Sequence, residues 1–115
     1  MSHRTERVSH EILREADSLL AGEVQDPALE HVTVTRVEVS GDLRHATLFY
    51  TARDRAAEPA AQAALEHAAG FFRRALAQRV NLRFAPDLRF APDDLVAKEK
   101  RIYDLLDSLD EKKED

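Results

Sequence analysis

The segment Leu65–Phe90, LEHAAGFFRRALAQRVNLRFAPDLRF, decides how the rest of the chain is read. Alanines and spaced apolar residues make it helical as far as Val80; Pro86 then interrupts, and DLRF (Asp87–Phe90) alternates as a short strand with Leu88 and Phe90 inward. Gly70 lies in mid-helix, where glycine costs about 1 kcal/mol relative to alanine. That cost marks a junction between two helices, either a place where a ligand comes close or a packing kink. Past it, Phe71, Phe72, Ala75, Leu76 and Val80 form an apolar face, while Arg73, Arg74 and Gln78 point away. Arg79 falls amid the apolar stripe, so the helix is expected to end there and free its long side chain to reach solvent.

Upstream, HVTVTRVEVS (His31–Ser40) is rich in β-branched residues and reads as a strand. Val32 and Val34 share one face while Val37 and Val39 share the other, which calls for either a bulge or a strand covered on both sides. SGD (Ser40–Asp42) supplies turn chemistry, and HATLFYT (His45–Thr51) alternates with Ala46, Leu48 and Tyr50 inward, completing a hairpin. Residues 3–21 read as a first helix on Val8, Ile12, Ala16, Leu19 and Leu20, with Ser2 or Thr5 as its cap, stopping before Pro27. RDRAAEP connects to a helix opened by Pro59. Pro92 with Asp93 or Asp94 opens a last helix, about residues 93–110, striped by Leu95, Ile102, Leu105, Leu106 and Leu109. Residues 111–115 are expected to be a flexible acidic tail. The order is helix, hairpin, two-helix crossover and third strand, then the closing helix: an α+β layer with helices on one face of a sheet.

The 115 residues suit one domain with one core. No cysteine is present, which removes disulfides and thiolate metal sites and fits a reducing compartment. No apolar run approaches the ~20 residues of a membrane span, and the opening MSHRTERVSH carries no hydrophobic leader, so a cytoplasmic protein away from membranes is expected. The net charge of −5 masks its distribution. Between residues 67 and 91, Arg73, Arg74, Arg79, Arg83 and Arg89 face a single acid, Asp87, whereas the flanking segments are both acidic. A basic stripe on an acidic chain is an electrostatic footprint for phosphate. Of the 17 basic residues 13 are arginine, whose planar fork suits phosphate oxygens, though a G+C-rich genome gives the same bias.

Catalytic signals are weak. The five histidines are scattered with no pair at ligand spacing, so no metal is expected. There is no nucleophile elbow and no phosphate-cradling loop. Asp93–Asp94 reads as a helix cap and Glu66–His67 as an exposed helix face. Neither an enzyme nor a cofactor is expected.

Several motifs in sequence order resemble the ribosome-binding factor A family. They are RTERV (Arg4–Val8) with Ile12; VQDPALEHVTVTRVEVSGDLRHATLFYT (Val24–Thr51); AAGFFRRAL (Ala68–Leu76); and LRFAPDLRF (Leu82–Phe90), which follows the family's Leu-Arg-x-x-Pro-acid-Leu-x-Phe pattern. Ile102, Leu105 and Leu106 fit its closing helix. The resemblance implies a type II KH-like domain, α-β-β-α-kink-α-β with a C-terminal helix, over residues 1–110. KH domains grip RNA backbone at a Gly-x-x-Gly loop; this family carries Ala-x-Gly, here Ala68-Ala69-Gly70, giving a kinked helix pair. It implies a non-enzymatic assembly factor, a monomer by default, that binds 16S rRNA in the 30S subunit. Its expected role is late maturation and precursor rRNA processing, particularly in the cold and beside assembly GTPases. Arg73, Arg74, Arg79 and Arg83 would contact phosphates, with Arg4, Arg7 and Arg89 extending the surface, and the kink aiming the arginines. Base stacking is expected to be secondary, because Phe71 and Phe72 are assigned to the core. The alternative is a protein-binding adaptor using the C-terminal helix and acidic tail.

Overall fold

The first helix, α1 (His3–Gly22), buries Val8, Ile12, Ala16 and Leu19 along one stripe. Thr5, one of the two caps that the sequence suggested, is buried on the same stripe inside the helix, one turn before Val8, and is part of the packed face; the other, Ser2, lies outside the described residues. The computed structural model describes residues 3–94, so the closing helix expected over about 93–110 lies outside the described residues from residue 95 onward, as does the tail at 111–115. After α1 the backbone at Asp26 is extended (φ −123°, ψ 123°), as expected before proline. The Asp26 carboxylate accepts the Ala28 N–H at 3.0 Å and starts a 3₁₀ turn over Pro27–Leu29.

Strands β1 (Thr33–Val39) and β2 (His45–Thr51) form the antiparallel hairpin. Its register shifts between Val34 and Arg36, leaving Thr35 as one extra residue on β1. That insertion resolves the valine parity. Val34 lies opposite Tyr50, Val37 opposite Leu48 and Val39 opposite Ala46, so all three face the core side of β2. Two carboxylates secure the irregularity: the Val34 N–H donates to Asp17 of α1 at 3.1 Å, and the Thr35 hydroxyl donates to Asp93.

The third strand, β3 (Asp87–Pro92), runs parallel to β2, with sheet order β1-β2-β3. A parallel neighbour needs a crossover, supplied by α2 (Glu58–His67) and α3 (Ala69–Arg79). One core joins Ile12 and Leu19 of α1, Ala46, Leu48 and Tyr50 of β2, and Leu65, Phe72 and Leu76 of the crossover. The Phe72 ring meets Phe90 edge-on, centroids 5.7 Å apart. Burial pushes the Tyr50 phenol pKa up, aided by Glu58 and Glu66. Its hydroxyl donates to Gln62 at 2.6 Å, and Gln62 donates to the Phe90 carbonyl at 2.7 Å, tying α2 across β2 to β3.

The helix junction lies at Ala68 (φ −88°, ψ 1°), two residues before the glycine. Its N–H still donates to Ala64 and its carbonyl still accepts from Phe72, both at 3.0 Å, so the chain bends without unwinding. Those angles are open to any residue. Gly70 sits inside the first turn of α3 and has no positive φ. A methyl group there would meet only the flexible end of Arg74, at 3.4 Å. Gly70→Ala is therefore expected to stabilise the protein by up to about 1 kcal/mol, read as a higher urea midpoint at unchanged m-value. A lower midpoint would mean that the position is not an ordinary helical one.

Candidate nucleic-acid interface

Three short segments meet at the hairpin end of the sheet. The first follows α3. Asn81 takes a left-handed conformation (φ 56°), the Leu82 N–H donates to the Ala77 carbonyl at 2.9 Å and the Asn81 N–H to Gln78 at 3.4 Å. This Schellman closure stops the helix and seats Leu82 against the core. The far end of the loop is fixed by Arg73, whose Nε donates to the Pro86 carbonyl at 3.0 Å and whose Nη2 lies 3.4 Å from both the Ala85 carbonyl and Asp87 Oδ1. Pro86 is fully buried. Between these anchors Arg83 and Phe84 are presented outward.

The second segment is the hairpin loop. Asp42 Oδ1 accepts from the Ser40 hydroxyl at 2.6 Å and from the Arg44 N–H at 3.0 Å, while Ser40 Oγ accepts the His45 N–H at 3.0 Å. The Ser40 hydrogen bond, followed by that from the Arg44 backbone, holds the Asp42 carboxyl below its ordinary pKa. Leu43 has φ 61°, costly for a branched side chain, and packs against the core. Arg44 is thereby left exposed beside it, and its carbonyl accepts the Asp87 N–H at 2.8 Å. The third segment is the start of α1, carrying exposed Arg4 and Arg7.

Between them lies a groove of about 550 Å³ whose charged lining is Arg4, Arg7, Arg44 and Arg83 against Glu11 and Asp42. The guanidinium carbons of Arg44 and Arg83 sit 4.9 and 5.5 Å from the centre of the Phe84 ring, and Phe84 is 51% exposed. Arginine forks beside an accessible ring offer charge for phosphate and a π-face for a base.

The structure thus divides the residues singled out from sequence. Arg4, Arg7 and Arg83 come together at the groove. Arg73, its side chain partly exposed, holds the far end of the loop. Arg79 ends α3 and is exposed, as expected, and it also reaches α1, pairing with Glu23 and lying 3.5 Å from Glu15, and the Glu23 contact raises its pKa further. Its place amid the apolar stripe, which brings it against α1, is the physical reason. Arg74 is exposed on α3. Arg89 lies away from the groove, in a shallow pocket with Glu66 and Ala69, the first residue of α3. Phe71, assigned to the core from its spacing, is 38% exposed because it flanks the packed position taken by Phe72. Sequence reasoning missed Arg44 and Phe84, although Asn81 after an apolar helix end and the Ser40–Asp42 turn were signals that both loops are fixed. Among the described residues, no cluster of three His, Asp or Glu side chains could hold a metal ion, and no helix is long and apolar enough to cross a membrane.

The family model for ribosome-binding factor A matches residues 4–106. Ribosome-binding factor A of Lacticaseibacillus casei is 41% identical over 111 residues, covering 95% of this chain and 95% of the relative. That of Methylobacillus flagellatus is 46% identical over 105 residues, covering 90% of this chain and 82% of the relative. The crystal structure of ribosome-binding factor A from Thermus thermophilus superposes with a TM-score of 0.61 at 30% identity, over 78% of this chain and 92% of that one. A homology model of the Thermus thermophilus factor, fitted into a cryo-EM map of its 30S complex, gives 0.60 at 28% identity, over 82% and 96%. The ribosome-binding factor A structures have KH-like folds, the class to which the helix, hairpin, bent crossover and parallel strand conform. On both sequence and fold, the chain belongs to the ribosome-binding factor A family.

Proposed function

We propose that the protein binds the 30S ribosomal subunit through 16S rRNA, with the arginine groove as its phosphate contact, and assists late maturation of the subunit, including precursor rRNA processing. One observation carries the reading: four arginines from three separated segments converge on one groove in a chain of net charge −5. The acidic remainder disfavours indiscriminate RNA binding, so specificity comes from docking on a structured site. The related Thermus factor, placed in the map of a 30S complex, supports the same partner. The reading includes a monomer working in the cytoplasm beside assembly GTPases, with its greatest demand in the cold and no catalysis of its own. Arg74 and Arg89 are proposed as outlying phosphate contacts on the junction side.

Binding to immature 30S particles over a range of salt tests the groove. Each phosphate contact contributes about 0.7–0.9 to the slope of log K against log salt. Arg83→Gln is expected to reduce the slope by about that amount, whereas Arg73→Gln and Arg79→Gln leave it unchanged and lower the unfolding midpoint instead. A wild-type slope near zero, with crosslinks confined to ribosomal proteins, would favour the adaptor and overturn the reading.

A further inference from the structure

Phe84 is the most exposed large apolar side chain among the described residues. Its loop is fixed at both ends, by the Schellman closure at Asn81 and by Arg73 at Pro86, so the ring is displayed by a rigid support. Two guanidinium groups lie within cation–π reach of it, and Arg4 and Arg7 line the same groove. A surface that only held duplex backbone would need the arginines and have no use for an exposed ring, since the bases of an A-form helix are already stacked on one another. An unpaired base has a free π-face, and phenylalanine and arginine planes both stack on it. The groove's volume of about 550 Å³ is in the range of small-ligand sites.

We infer that the groove takes single-stranded RNA, with one unpaired nucleobase stacked against the Phe84–Arg44–Arg83 cluster and the flanking phosphates held by Arg4 and Arg7. This rests on the rRNA-binding reading above and narrows it from phosphate backbone to an unpaired base. It also revises the expectation that stacking is secondary, because that rested on the aromatics being core residues, and Phe84 is not one.

The test uses the full chain with a short single-stranded RNA carrying 2-aminopurine, and the same RNA annealed to its complement. The single strand is expected to bind more tightly than the duplex, with the probe's fluorescence quenched on binding. Phe84→Leu should weaken the single-strand complex about 5- to 150-fold, abolish the quenching and leave the salt slope unchanged, whereas Phe84→Tyr should retain all three properties. The Arg4→Gln/Arg7→Gln double variant should lose about 1.4 in slope and keep the quenching in the bound fraction. Equal affinity for duplex and single strand, or unaltered affinity and quenching in Phe84→Leu, overturns the inference. If that happens while Arg83→Gln still lowers the salt slope on 30S particles, stacking is wrong and the phosphate reading stands. If wild type does not bind 30S particles, the broader reading fails. Loss of 30S binding by Phe84→Leu, with no binding of either RNA probe by wild type, would make Phe84 a protein contact and also defeat the inference.

Discussion

Replacing Arg44 and Arg83 together by glutamate is expected to lower affinity for 30S particles at least about 100-fold near 0.1 M salt, with the fold intact. Each arginine offers one charge-assisted contact, worth about 1.5–3 kcal/mol net. Losing two contacts at the lower figure already amounts to about 3 kcal/mol, or two decades in affinity, and the introduced carboxylates add repulsion. Stability should change little, because both residues are exposed and each cation–π contact with Phe84 is worth only about 0.5–1 kcal/mol at such a site. The measurement is sedimentation or fluorescence binding at several salt concentrations, alongside thermal unfolding. Wild-type affinity at low salt in a folded double variant would exclude the groove as the interface. Arg44 is the sharper member of the pair, because it belongs to the hairpin and lies outside the basic stripe seen in the sequence.

Phe72→Ala has the largest expected effect on the molecule itself, a loss of about 3–5 kcal/mol in unfolding free energy. The ring is fully buried and meets Phe90 and Phe71 edge-on, at 5.7 and 6.1 Å between centroids. It therefore joins the crossover to β3, and truncation leaves a cavity as well as lost contact area. Set against the ~5–15 kcal/mol of an ordinary domain, such a loss leaves little margin. Urea unfolding gives the value, and Phe71→Ala is the control. Phe71 is 38% exposed, so its truncation should cost well under half as much. Equal costs at the two positions would contradict the packing described for α3.

The elements were legible because each carries its own period or punctuation. The stripe at Val8, Ile12, Ala16 and Leu19 gave α1, and Ala46, Leu48 and Tyr50 gave β2. Pro27, Pro59 and Pro86 marked boundaries through local sterics that act within a residue or two. The valine parity narrowed β1 to two readings, and only the pairing with β2 selected the bulge. The junction was legible as the Ala68-Ala69-Gly70 kink, and the structure narrows it to Ala68, whose backbone angles do not require a glycine. The groove was half legible. A charge count found Arg83 and the α1 resemblance brought in Arg4 and Arg7, but nothing local joins them to Arg44. Nor could charge show which arginines also meet a partner within the chain. Arg79 meets Glu23, 56 residues away, and Arg73 meets backbone carbonyls that no sequence pattern displays.

The bulge at Thr35 has a bearing beyond register. Among the described strands β1 is an outer one, and an outer strand with an unbroken row of amides is a template onto which a second copy can add. Here the Val34 amide is engaged by Asp17, and the next residue is pushed out of step with the ladder. The fold is thereby guarded against edge-to-edge aggregation at the same place where it sets the pairing of its hairpin.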